Sequence, residues 1–286
     1  MSDFTFDSAA RGYSHENAFW LGRFAELAYS KPDSIRQEAN DLGLTTFEFF
    51  DGRRTDTQAF LAANSDTIVV AFRGTQPAEL LDWMTDLRAD IVDGVHRGFR
   101  SALDEVWPGL EASIEHAKGP RGSLVDLARL GPATAAGPGL WFTGHSLGGA
   151  LAVLAVQRML EAQRPVEGLY TFGQPRVGAR DWATALDMAF GQRYLRFVNN
   201  ADIVPRVPLR AMGYAHAGTL RYFDAKGAMH DDIGWWERLL DRFQGRIEDL
   251  GRLGPDDIKD HSMKAYLECL ETQREARRQT ASRPRP

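Results

Sequence analysis

The chain has 286 residues, 43% of them hydrophobic and 26% charged, the proportions of a globular protein whose length suits one α/β domain. Thirty-four Lys and Arg against 39 Asp and Glu leave a formal charge of −5, too mild to call for a polyanionic partner, which argues against nucleic acid. A single cysteine, Cys269, excludes an intramolecular disulfide framework.

The first seven residues are acidic where an export signal would be basic, and they lack a continuous apolar stretch. Sec-type export is therefore not expected, which leaves the cytoplasm or another export route. Phe19, Trp20, Phe24, Leu27 and Ala28 recur at helical spacing and predict a helix over 16–29, ended by Pro32. Residues 45–51 and 58–62 read as strands, and 67–72 as a strand buried on both faces. A helix over 99–117 follows, and then 118–139, whose repeated Gly, Pro and Ala predict a surface insertion. Residues 139–143 read as a strand and 150–160 as an apolar helix. The charge-free run 130–157 is broken by too many glycines and prolines to be one membrane-spanning helix. Strands are expected again at 168–172, 194–198 and 219–223, alternating with helices, as in a mostly parallel sheet covered by helices. Ile233, Trp236, Leu240, Phe243, Ile247 and Leu250 form another helical stripe. Its polar face mixes both charge signs, which favours core packing over an acyl-pocket wall or an interfacial role. Cys269 lies at the edge of the stripe Met263, Tyr266, Leu267 and Leu270 and reads as a packed thiol. Residues 1–272 are expected to form one domain, and the Arg- and Pro-rich 273–286 a flexible tail.

The chemistry concentrates around Gly144-His145-Ser146-Leu147-Gly148-Gly149. A serine between two glycines, after an apolar strand and before an apolar helix, fits a tight turn that presents its hydroxyl. The pattern alone recurs by chance, so its partners decide. A serine hydroxyl is a weak nucleophile at neutral pH and needs a base within reach. His261 is the candidate base, and Asp202, after an apolar strand, the carboxylate that would orient it and favour the imidazolium. The other histidines are His15, His96, His116, His145, His216 and His230. His145 is read as structural because neighbours on such a turn point apart, and His96 as packing near the turn. Neither the acids around His230 nor 256–260 have the spacing of a metal motif; acids opening helices satisfy orphan N–H groups instead. No cofactor and no metal are called for.

Five blocks in order carry a resemblance to the class 3, fungal-type lipases: Ala71-Phe72-Arg73-Gly74-Thr75, Val95-His96-Arg97-Gly98-Phe99, the Ser146 turn, residues 170–178, and the Asp202 segment with its two prolines. The resemblance spans roughly 40–270 and implies the α/β-hydrolase fold, with a mostly parallel central sheet flanked by helices. It also implies a Ser146–Asp202–His261 triad, and an oxyanion hole made by the N–H of Leu147 and by Thr75. The lid of that family would correspond to a short helix bearing Leu80, Trp83, Met84 and Leu87, with a helix packed permanently on the body as the alternative. The expected reaction is hydrolysis of lipid acyl esters such as triacylglycerol through an acyl-enzyme, without cofactor, at a lipid–water interface. Phospholipase A1, mono- or diacylglycerol lipase and feruloyl-type esterase share that machinery. A silent lipase-like scaffold that binds a ligand or a protein, and a peptidase or thioesterase, are the readings from other classes. The single cysteine places the chain nearer the cysteine-poor bacterial branch than the fungal one.

Overall fold

A computed structural model describes residues 4–75, 90–119, 137–231 and 259–281. The expected lid residues, most of the 118–139 insertion and the 233–250 stripe lie outside these described residues.

Helix α1, His15–Leu27, is capped by Ser14, whose side chain accepts from the N–H of Asn17. Pro32 does not merely stop this helix: it opens a second one, α2, Pro32–Asp41. A proline is as well suited to a helix's first turn, where its missing N–H would have no partner, as to a helix's end. Strands β1 (Thr46–Gly52), β2 (Thr57–Ala63) and β3 (Thr67–Phe72) form an antiparallel meander. Two short strands, β4 (Ile91–Val92) and β5 (Val95–His96), lead into α3, Arg97–Lys118. His96 caps α3, its Nδ1 accepting from the N–H groups of Gly98 and Phe99. Pro108 lies inside α3 but on its exposed side, together with Asp104, whose carbonyl it leaves to water.

The chain then builds the parallel centre: β6 (Gly139–His145), α4 (Leu147–Glu161), β7 (Gly168–Phe172), β8 (Gly178–Ala179), α5 (Arg180–Phe190), β9 (Tyr194–Asn199), β10 (Tyr214–Ala215), β11 (Thr219–Phe223), β12 (Met229–His230) and α6 (Met263–Ala281). The main sheet has the order β1-β2-β3-β6-β7-β9-β11-β12. It is parallel from β3 to β11 and antiparallel at both ends. Strands β10, β8, β5 and β4 make a second sheet of two-residue strands, too short to leave a pattern in the sequence.

Alternation along β3 shows how the sheet is buried. Ile68, Val70 and Phe72 join a core with Leu103, Leu110 and Leu151, from α3 and α4. Val69 and Ala71 join the opposite core, with Phe24 of α1 and Tyr266 and Leu270 of α6. Helices on both faces are what allow central strands to be apolar throughout. The expected tail is corrected in part. Arg274 sits within α6, pairs with Glu16 at 2.7 Å and lies over the Phe19 ring at 4.4 Å. An arginine with an ion pair and an aromatic face to lie on is ordered by them, whatever its composition-based expectation.

Candidate active site

Ser146 lies between the end of β6 and the start of α4, at φ 56° and ψ −130°, a conformation that costs a non-glycine residue about 1–3 kcal/mol. The surrounding backbone packing holds it there. A Cβ at Gly144 would collide with the backbone of Gly148, and one at Gly148 with the Phe72 carbonyl and, at 2.8 Å, the Arg73 carbonyl carbon. The two glycines therefore let α4 close onto the ends of both β6 and β3. The Ser146 N–H donates to the Phe172 carbonyl at 2.9 Å, tying the turn to β7 as well.

Asp202 follows β9, its N–H bonded to the Asn199 carbonyl at 2.8 Å, and its side chain is fully buried. Three donors compensate for burying that carboxylate. His261 Nδ1 stands 3.0 Å from both oxygens, the Val204 N–H donates to Oδ1 at 2.9 Å, and the Tyr266 hydroxyl donates to Oδ2 at 2.5 Å. Burial and the Asp202 charge push the Tyr266 hydroxyl well above its ordinary pKa, so it remains a donor. Gly173, at φ 57°, faces this pair: a Cβ there would come within 2.7 Å of Asp202 Oδ2 and 2.9 Å of His261 Nδ1.

His261 precedes α6, whose cap is Ser262, accepting from the N–H of Ala265 at 3.2 Å. Asp260, read as a helix-opening acid, instead links the two loops. Its carboxylate accepts from Asn200 Nδ2 at 3.0 Å and the Ala201 N–H at 3.2 Å, and its carbonyl from Asn199 Nδ2 at 3.0 Å. The acid and histidine loops are thereby fastened together. With Nδ1 on Asp202, His261 Nε2 is buried and has no hydrogen-bond partner among the described residues, and neither does the fully buried Ser146 hydroxyl. Beside them, the loop leaving β3 carries Thr75, and a Cβ at the adjacent Gly74 would lie 3.0 Å from Ser146 Cβ. Leu147, the first residue of α4, directs its N–H from the positive end of that helix. Ser146, Asp202, His261, Thr75 and Leu147 thus lie together at the carboxyl ends of β3, β6, β7 and β9, where open α/β sheets bind ligands.

Residues 69–212, just over half of the chain and including Ser146 and Asp202, match the family Lipase (class 3). The chain belongs to the class 3 lipase family. It is 29% identical over 213 residues to the triacylglycerol lipase OBL1 of Arabidopsis thaliana, covering 60% of this chain and 41% of that one. It is 32% identical over 184 residues to the secreted mono- and diacylglycerol lipase 1 of Fusarium solani, covering 60% of this chain and 49% of that one. The match thus spans less than half the length of these curated relatives. A solved triacylglycerol lipase, described as having a serine protease triad at its catalytic centre, superposes with a TM-score of 0.58 at 26% identity, over 77% of this chain and 84% of that one. The α/β-hydrolase fold expected from the sequence is the fold of this class 3 lipase.

Other motif residues of this family member have structural work. The Arg176 guanidinium is bonded to the carbonyls of Arg206 and, at 2.8 Å, Pro208, and its N–H to the Val207 carbonyl at 2.8 Å. It stitches 173–178 to the segment after Asp202; burial and the neighbouring arginines bring its pKa down to about 9. His230 pairs with Asp224 at 2.9 Å and Asp231 with Arg221 at 3.0 Å. Among the described residues no three His, Cys, Asp or Glu side chains converge as metal ligands, and no helix is long and apolar enough to cross a membrane. Tyr266 and Gly173 escaped the sequence reading as site residues. Tyr266 was legible only as one member of an apolar stripe, and Gly173 as one letter of a motif.

Proposed function

We propose that this class 3 lipase is a serine carboxylic-ester hydrolase that cleaves lipid acyl esters through an acyl-enzyme. The observation that carries the proposal is a strained, buried Ser146 in the same site as a His261 whose Nδ1 is held by the buried Asp202 carboxylate, with the Ser146 hydroxyl and His261 Nε2 both left without a hydrogen-bond partner among the described residues. What distinguishes these two unpaired atoms is their company: a nucleophile on a strained turn and a ring nitrogen whose partner nitrogen is already held by a buried carboxylate support a site kept for a reacting molecule.

In the proposed reaction Ser146 Oγ attacks the ester carbonyl carbon while His261 Nε2 takes its proton. Asp202 stabilises the imidazolium and fixes its orientation. The N–H of Leu147, with the N–H and hydroxyl of Thr75, receives the negative charge on the former carbonyl oxygen. Collapse expels the alcohol, which leaves with the proton from His261. Water then attacks the acyl-serine, giving its proton to the same nitrogen, and the acid departs as Ser146 is restored. Every step uses side chains of the chain itself. Glycerides are the substrates that the relatives' names favour. Phospholipids and aromatic esters would use the same groups and differ in how they fit the pocket.

Hydrolysis of p-nitrophenyl esters from acetate to palmitate, with an emulsified triglyceride as a further substrate, tests the proposal. Wild type should turn over and Ser146→Ala should lose about 10⁴-fold or more in kcat while staying folded. A fluorophosphonate should label wild type once, at Ser146, and leave the variant unlabelled. A folded wild type that neither hydrolyses an ester nor takes the label would instead favour a lipase-like binding scaffold.

A further inference from the structure

His145 stands next to the nucleophile, yet its ring points away from it and into a chain of polar contacts. Nε2 lies 2.6 Å from the carbonyl of His261, and Nδ1 lies 2.8 Å from the hydroxyl of Tyr29, just past the end of α1. The ring centroids of His145 and His261 are 4.4 Å apart. The direction of each bond follows from valence. A carbonyl only accepts, so Nε2 must carry the proton. Burial, reinforced by the neighbouring His261, keeps His145 neutral, so Nδ1 is bare and accepts. Tyr29 is therefore the donor, and its hydroxyl packs directly against Gly74. Gly74 is so close that a Cβ there would collide with the Tyr29 hydroxyl and the His145 carbonyl.

We infer that Tyr29 is a positioning residue for the ester hydrolysis proposed above, and the inference rests on that reading. One hydroxyl links the segment carrying Thr75, through Gly74, to the loop carrying His261, through His145. Through these contacts it couples the position of the Thr75 segment to that of the His261 loop. Without the hydroxyl Gly74 loses the atom it packs against and His145 Nδ1 its donor. The imidazole can then take its other tautomer and release the His261 carbonyl. The transition state suffers more than the bound ester, because only there must the oxyanion donors and the base act together.

Tyr29→Phe keeps the ring and removes only that oxygen. With p-nitrophenyl butyrate below its solubility limit, kcat should fall about tenfold to a hundredfold. KM should stay within about twofold, and the affinity for butylboronic acid, which forms a tetrahedral adduct on the serine, should weaken in parallel with kcat/KM. His145→Gln can still donate to the His261 carbonyl but presents no ring acceptor to Tyr29. The double variant should fall no further than the worse of the two single ones, because both remove the same bond. Should Tyr29→Phe fail to fold, the kcat and boronate affinity of His145→Gln are read in the same way. An active wild type alongside a Tyr29→Phe with unchanged kcat and boronate affinity, a rise in KM alone, or losses that multiply in the double variant would overturn the role of Tyr29. A wild type without esterase activity and without phosphonate labelling of Ser146 would overturn the hydrolase reading itself, and the role of Tyr29 with it.

Discussion

Around the candidate site, individual side chains are placed by the demand that buried polar groups be paired. Asp202 has three donors, Tyr266 both donates to Asp202 and accepts from the Asn199 N–H at 3.0 Å, and His145 is satisfied at both nitrogens. Ser146 and His261 differ in where their idle atoms lie: the Ser146 hydroxyl and His261 Nε2 sit beside this paired network, next to the fully buried Asp202 carboxylate. Thr75, partly buried beside the serine, supplies a hydroxyl that valine would replace at nearly equal volume. Thr75→Val retains the backbone N–H and removes one donor to the oxyanion, a loss of about 2.7–4 kcal/mol of transition-state stabilisation. Its kcat should drop about 10²–10³-fold with KM and thermal midpoint unchanged. A variant with wild-type kcat would remove Thr75 from the oxyanion hole.

At the scale of elements, the turn around Ser146 depends on backbone meeting backbone. Helix α4 approaches the end of β3 so closely that Gly148 has no room for a side chain, and what stands in the way is the main chain of Phe72 and Arg73. Gly149 differs: a Cβ there would meet the Gln174 Cβ and Cγ at 3.0 and 3.2 Å and the Gly144 carbonyl at 3.2 Å, tight contacts rather than overlaps. Gly148→Ala should therefore force α4 off the sheet, cost about 1–3 kcal/mol in denaturant unfolding and abolish activity by moving the Leu147 N–H. Gly149→Ala should cost less in both, since shifts of a few tenths of an ångström relieve its contacts. Equal losses in the two variants would refute this account of the turn.

For the molecule as a whole, the site lies at the carboxyl ends of the central strands of a sheet covered on both faces, and folding encloses histidines that remain neutral. Burial lowers the pKa of His145 and of His216 well below the ordinary value, with His261 adding to the effect at the first and Arg196 and Arg176 at the second. Unfolded, both titrate near about 6.5. Above that pH neither state binds the protons and the stabilisation is fully present. Below it the unfolded chain takes up protons that the folded chain refuses, so stability falls as pH falls. Each histidine should contribute a slope of about 1.4 kcal/mol per pH unit between its unfolded and folded pKa values. Urea unfolding between pH 7.5 and 5 should show the decline, and His216→Gln should make it shallower. A pH-independent midpoint would mean that these rings are protonated in the fold.

The sequence by itself determined the alternation of strands and helices and the turn at Ser146, and made Asp202 and His261 the candidates to stand with it. Each of these is written locally, as period-2 or period-3.6 apolar spacing or as a short motif. β3 was legible residue for residue because a strand buried on both faces is apolar throughout. Only the tertiary structure decided the rest. Pro32 opens α2 because the neighbouring chain is helical, and α6 continues past Thr272 because α1 offers Arg274 a carboxylate and an aromatic face. The second sheet is set by pairing between two-residue strands distant in sequence. Tyr29 and Tyr266 read as ordinary aromatic residues until folding brings their hydroxyls to His145 and Asp202, 116 and 64 residues away along the chain. A side chain's periodicity reveals which face it occupies, whereas the partner of its hydroxyl depends on which other elements fold against that face.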